Sequence, residues 1–246
     1  MIAPRAAMAG GSGVRKGAAD RIKVLAFRYW IGQRGDGKGW QEALWTLADG
    51  WWPMPSNSLL QWRGVRAAVL DEIEAAHAHV GGTARGRRYA TQQINRAYAV
   101  LLSSEFQGFC RDLYSECMDH VVATAPVTTQ GVIRTQFLWA RSLDRGNPQA
   151  GGIDSDFGRF ALPFWDEVYA LNALNDRRRV LLDELMGWRN AIAHNDFDRA
   201  VFGPHPVLHF GEVQAWRSAL NSLCRSFDTV MRSHLNGMLG AEPWPA

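Results

Sequence analysis

The chain has 246 residues, of which 47% are apolar and 21% charged, and a net charge of +3. That suits one large globular domain, or one domain with an appendage, and no apolar run is long enough for a transmembrane helix. Three cysteines without a CxxC pair argue against a disulfide framework or a zinc knuckle, and they read as buried reduced thiols.

Of the 27 basic residues only Lys16, Lys23 and Lys38 are lysines, leaving 24 arginines. A GC-rich coding composition accounts for that bias as a whole, since Ala, Gly and Trp are also frequent. Local arginine clusters have a functional alternative in phosphate recognition, because guanidinium groups bind phosphate oxygens in pairs.

Residues 1–19 are rich in Ala and Gly and read as a flexible arm. They lack the apolar core of a signal peptide, so a cytoplasmic location is expected. Residues 20–57 form a Trp-rich N-terminal extension. Val24 to Ile31 is apolar and fits helix or strand equally. Trp40, Leu44, Leu47 and Trp51 recur at helical spacing and predict a short helix over 40–49. Gly32-Gln33-Arg34-Gly35-Asp36-Gly37-Lys38 matches the start of a phosphate-cradling P-loop. Gly39 then replaces the Ser or Thr that would hold magnesium, so the run reads as a flexible loop.

From residue 58 the chain reads as helices. Ser56, Asn57 and Ser58 offer caps to a helix over 58–80 carrying Leu59, Trp62, Val65, Val69 and Ile73. His77 and His79 point to different faces and read as exposed residues near its end. Arg85, Arg87 and Arg88 follow as a basic cluster. The longest helix, about 87–122, carries Ile94, Tyr98, Leu102, Phe106, Phe109, Leu113 and Cys117. Glu105 falls on that stripe. It either reaches solvent at the margin or pairs with an arginine in a cleft.

After Pro126, Thr128 or Thr129 is expected to cap a helix packed through Val132, Gln136, Trp139 and Leu143. Residues 144–157, with Asn147-Pro148 and Gly151-Gly152, read as a surface loop. Pro163 suits the first turn of a short helix. Asn175 or Asp176 is expected to cap the next helix, whose first turn holds Arg177, Arg178 and Arg179. Solvation suffices for these arginines; an anion site for a nucleic-acid backbone is the functional alternative. A loop over 197–211 and a final helix over 212–239 complete the chain. His205 and His209 lie in that loop without nearby carboxylates or cysteines, a weak pattern for metal. The expected class is all-α, an antiparallel bundle of four to five principal helices.

The chemistry-bearing stretch is Trp188-Arg189-Asn190-Ala191-Ile192-Ala193-His194-Asn195-Asp196. A basic residue in a last turn followed by Asn is also an ordinary helix end. Five residues of helix separate Arg189 and His194 by about 140° and roughly 7.5 Å. Both can still reach one phosphate, because arginine is long and His194 lies near the end. Arginine neutralises a phosphate in a transition state, and histidine moves protons near neutral pH. RNA supplies its own nucleophile in the 2′-hydroxyl, so the products would be a 2′,3′-cyclic phosphate and a 5′-hydroxyl. DNA lacks that hydroxyl.

Arg189 to His194 resembles the R-x4–6-H signature of the HEPN superfamily. Ile94 to Phe106 resembles the long second helix of the RiboL-PSP type of HEPN domain. The resemblance covers about residues 58–240. It implies a helical bundle acting as a metal-independent endoribonuclease in a toxin or antiphage role, with no cofactor. It further implies Arg189 and His194 as catalytic pair, Asn190 as polar support and Glu105 as the acidic residue of the second helix. Arg87, Arg88, Arg177, Arg178 and Arg179 are the candidate RNA contacts. A homodimer with a composite site and an antitoxin or defence-system partner are implied as well; that no membrane is involved is expected from the lack of a long apolar run. Some toxins of the superfamily carry a tyrosine two residues after the histidine; Asp196 stands there instead. The alternatives are a HEPN-like bundle that binds RNA or a partner without cutting, and a structural subunit docking through its Trp-rich extension.

Overall fold

The computed structural model of the chain describes residues 54–81 and 89–244, with side chains over 54–80 and 91–244. The arm, nearly all of the extension with its helix over 40–49 and its P-loop-like run, and the Arg85, Arg87 and Arg88 cluster lie outside the described residues. Every regular element among the described residues is a helix. None is long and apolar enough to cross a membrane.

Ser56 is buried and its hydroxyl accepts the Leu59 amide at 3.0 Å, capping α1 (Asn57–Gln61). A π turn over Trp62–Arg66 leads into α2 (Ala67–Gly81). The wide turn changes the phase of the apolar stripe. Val65 is 63% exposed, whereas Trp62 and Leu70 are buried. His77 is not an exposed residue of the helix end: its ring stacks on Phe210 at 3.9 Å.

α3 (Tyr89–Ala123) is the centre of the core, roughly 50 Å long at 1.5 Å per residue. The expected stripe from Tyr98 to Cys117 is buried, and Ala99, Cys110, Tyr114 and Met118 widen it. α3 therefore meets neighbours on several sides. It packs against α1 and α2, and also against α8 (Leu174–His194) and α10 (Phe210–Leu239), which pack on each other. Val213, Trp216, Leu220, Leu223, Phe227, Val230 and Met231 of α10 are all buried, as the periodicity requires. Cys110, Cys117 and Cys224 are buried and free, and burial pushes each thiol up.

Between α3 and α8 the sequence expectations fail in three places. α4 (Val127–Leu138) has Pro126 at its N-cap and no side-chain cap from Thr128 or Thr129. Its inward face carries Ile133 and Phe137, while Val132 is 65% and Trp139 72% exposed. Two apolar sets compete on this helix, and the inward one is packed by rings from elsewhere: Phe137 meets Phe160 at 5.0 Å and Tyr114 of α3 at 6.3 Å. The supposed surface loop is α5 (Ser142–Arg145) and α6 (Ala150–Phe157), followed by a 3-10 turn over Gly158–Phe160. Leu143, Ile153 and Phe157 are fully buried, and that burial overrides the low helix propensity of Gly151 and Gly152. α7 (Phe164–Leu171) follows Pro163 as expected. The start of α8 is held by Asn172, whose side chain accepts the Leu174 amide at 2.9 Å. Asn175 instead is buried and donates to the Val168 carbonyl at 2.7 Å and the Ser226 hydroxyl at 3.0 Å. The 197–211 segment contains the short α9 (Arg199–Phe202), capped by Asp198.

Ser56 is tied to the core by Asp228, which accepts both its amide and its hydroxyl. Burial pushes the Asp228 carboxyl up, against the hydrogen bonds from Ser56. A raised acid favours its protonated form in the fold. Its contribution is therefore present at acid pH and lost as pH rises from the ordinary aspartate value of 3.8 through the raised one. Asp228→Asn keeps an acceptor and removes the buried charge, so its stability relative to wild type should rise over that window. Asp228→Ala strands the Ser56 amide and should cost about 1–3 kcal/mol at neutral pH. Urea unfolding at pH 4 and pH 7 reads both; equal losses for the two variants at pH 7 would contradict the assignment.

Candidate functional site

The motif helix α8 is buried through Leu182, Leu185, Met186 and Ala191. That places Arg189 and Asn190 at the edge of the core, half-buried, and leaves His194 exposed. Asn195 takes the left-handed conformation at φ 50°. Its amide bonds to Ile192 at 3.3 Å and the Asp196 amide to Ala191 at 3.0 Å. This is a Schellman motif, and it ends the helix directly after His194. Trp188 then meets Phe202 at 4.8 Å and Phe197 at 6.0 Å, folding the following segment back onto α8.

Arg189, Asn190 and His194 line one open cleft of about 410 Å³ with Gln107 of α3 and the turn Asp144 to Asn147. The turn is held from three directions. The buried Asp156 carboxylate accepts the Ser142 amide at 2.9 Å and the Leu143 amide at 2.8 Å, binding the orphan donors at the start of α5. The Gln107 side-chain amide donates to the carbonyls of Leu143 and Gly146, both at 2.7 Å. The Asn147 side-chain amide donates to the Asn190 side-chain carbonyl. Arg189 approaches that same oxygen at 3.5 Å. With its oxygen engaged, Asn190 has its NH2 group available as a donor.

Among the described residues, Asp144 is the one carboxylate lining the cleft. Arg141 grips it with two prongs at 2.7 and 2.9 Å, and Arg111 lies at 3.1 Å. The Arg141 hydrogen bonds hold the Asp144 carboxyl below its ordinary value. The negative charge in the wall is thus matched from behind.

Glu105 is not part of this cleft. It lies two residues before Gln107, about 200° around α3. Arg66 binds it at 2.7 Å and Asp112 at 2.7 Å, in a separate hollow lined by Gln61, Val65 and Val69. Of the two sequence alternatives for Glu105, pairing with an arginine is the one observed. Arg177, Arg178 and Arg179 sit at the far end of α8, roughly 18 Å of helix rise from Arg189. Arg177 is exposed, Arg178 bonds Asn175 at 2.7 Å, and Arg179 pairs with Asp183 at 3.0 Å. Comparison with protein-family models, curated proteins and solved structures finds no match for this chain.

Sequence reasoning missed Gln107, Arg145 and Asn147. The Asn147-Pro148 turn signal was visible, but not its partner Asn190, 43 residues away. Among the described residues no group of three or more His, Cys, Asp or Glu forms a metal-binding cluster.

Proposed function

We propose that this cleft is the site of a metal-independent endoribonuclease of HEPN type, acting as a toxin or antiphage effector. One observation carries the reading: Arg189 and His194 line the same open cleft although they diverge around the helix. Arg189 neutralises the phosphate as charge accumulates on it, and Asn190 offers its NH2 to the same oxygens. The exposed His194 moves one of the two protons that 2′-hydroxyl attack requires. The other transfer falls to water or to His194 of a second copy, in line with a composite dimer.

The Schellman motif favours a second reading, in which His194 and Asn195 serve only to end α8 and the bundle binds RNA or a partner without cutting. Incubating the protein with RNA in EDTA separates the two. Cleavage leaving 2′,3′-cyclic phosphate and 5′-hydroxyl ends, with DNA of the same sequence untouched, is expected. Intact RNA at all protein concentrations would leave the binding reading.

A further inference from the structure

Several arginines of the bundle are matched by carboxylates. Arg66 pairs with Glu105 and Asp112, and Arg217 with Asp71 and Glu74. Arg145 is different. It ends α5, is exposed, lines the cleft, and makes no ion pair or side-chain hydrogen bond among the described residues. Its neighbour Asp144 is already taken by Arg141 and Arg111. Among the described residues the cleft therefore presents two guanidinium groups, Arg145 and Arg189, against one carboxylate that is neutralised from behind.

The backbone under Arg145 is fixed as well. Gln107 holds the carbonyls on both sides of it, at Leu143 and Gly146, and Asp156 holds the start of its helix. A cation on an anchored turn loses less entropy on binding than one on a loose loop. Two arginines from separate elements, facing one open cleft, suit two phosphates of a continuous strand better than one isolated anion.

We propose that Arg145 is a second phosphate-binding residue, holding a phosphate beside the one at Arg189, so that the cleft takes an RNA strand rather than a single nucleotide. This rests on the ribonuclease reading of the same cleft. It is tested without cleavage, using a short 2′-O-methyl oligoribonucleotide, which lacks the nucleophilic hydroxyl. Affinity is measured across a salt series for wild type, Arg145→Ala, Arg145→Lys and, as a control, Arg134→Ala, whose arginine pairs with Asp119.

Arg145→Ala should weaken binding about tenfold, as for one lost charge-assisted contact. It should also lower the slope of log affinity against log salt by about 0.7, the value for one single-strand phosphate. Arg145→Lys should keep the slope, Arg134→Ala should match wild type, and binding of a 2′-O-methyl nucleoside monophosphate should not change in Arg145→Ala. An unchanged slope in Arg145→Ala, or no binding by wild type, overturns the proposal. Wild-type RNA cleavage with an unchanged slope sinks Arg145 alone. A lowered slope with no cleavage of ordinary RNA sinks the ribonuclease reading and leaves Arg145 in place.

Discussion

His194→Ala should lower the rate of RNA cleavage by about 100- to 10,000-fold, the usual cost of removing a proton-transfer group. Arg189→Ala should lower it by about 100- to 1,000-fold, as for loss of one donor to a developing oxyanion. Neither change should unfold the protein. His194 is exposed, and the polar contact of Arg189 is a long one of 3.5 Å to Asn190. Stability should stay within about 0.5 kcal/mol of wild type. Glu105→Gln is the instructive comparison, because the family resemblance assigns that carboxylate to the reaction and the geometry gives it to Arg66. It should cleave at close to the wild-type rate. Single-turnover cleavage beside a urea melt reads all three variants. Wild-type rates for His194→Ala and Arg189→Ala would end the enzymatic reading, whatever the result for Glu105.

Asp156→Ala should destabilise the protein by about 3–5 kcal/mol, as expected when a buried charge with several partners is removed. Asp156 is completely buried, and its two oxygens serve the amides of Ser142 and Leu143, with Arg159 at 3.9 Å. Removing it leaves two backbone donors without partners, each worth about 1–3 kcal/mol. The loss has a second consequence. Asp156 anchors the start of α5, and α5 leads into the turn that presents Arg145 and Asn147 to the cleft. RNA binding should therefore weaken even at temperatures where the variant stays folded. Asp156→Asn retains one acceptor oxygen and should fall between. A shift below about 1 kcal/mol in urea unfolding of Asp156→Ala would show that α5 is held mainly by the burial of Leu143.

The parts of the fold that follow from local periodicity were legible. α3 and α10 are long, their apolar residues recur at three and four, and one phase dominates each. α4 was misread because Val132 and Trp139 compete with Ile133 and Phe137, and packing of the Phe137 ring against Tyr114 and Phe160 decides between them. The 144–157 stretch was misread because its glycines and proline are local signals for a loop. Its helices exist because Ile153 and Phe157 reach the core and Asp156 binds the chain fourteen residues back.

Residue order within a few turns was enough for the all-helical character of the described residues, for the two longest helices, and for placing Arg189, Asn190 and His194 at the end of a helix. Tertiary structure alone decided what stands opposite that helix end. It brought Gln107, Arg145 and Asn147 to the cleft, turned Glu105 away to Arg66, and left the triplet at Arg177 one helix-length distant. The reason is that helical phase fixes which way a side chain points, whereas its neighbour is fixed by contacts between residues far apart in the chain. The two-residue step from Glu105 to Gln107 puts them on opposite sides of α3, and only the packing of α5 shows which side faces the cleft.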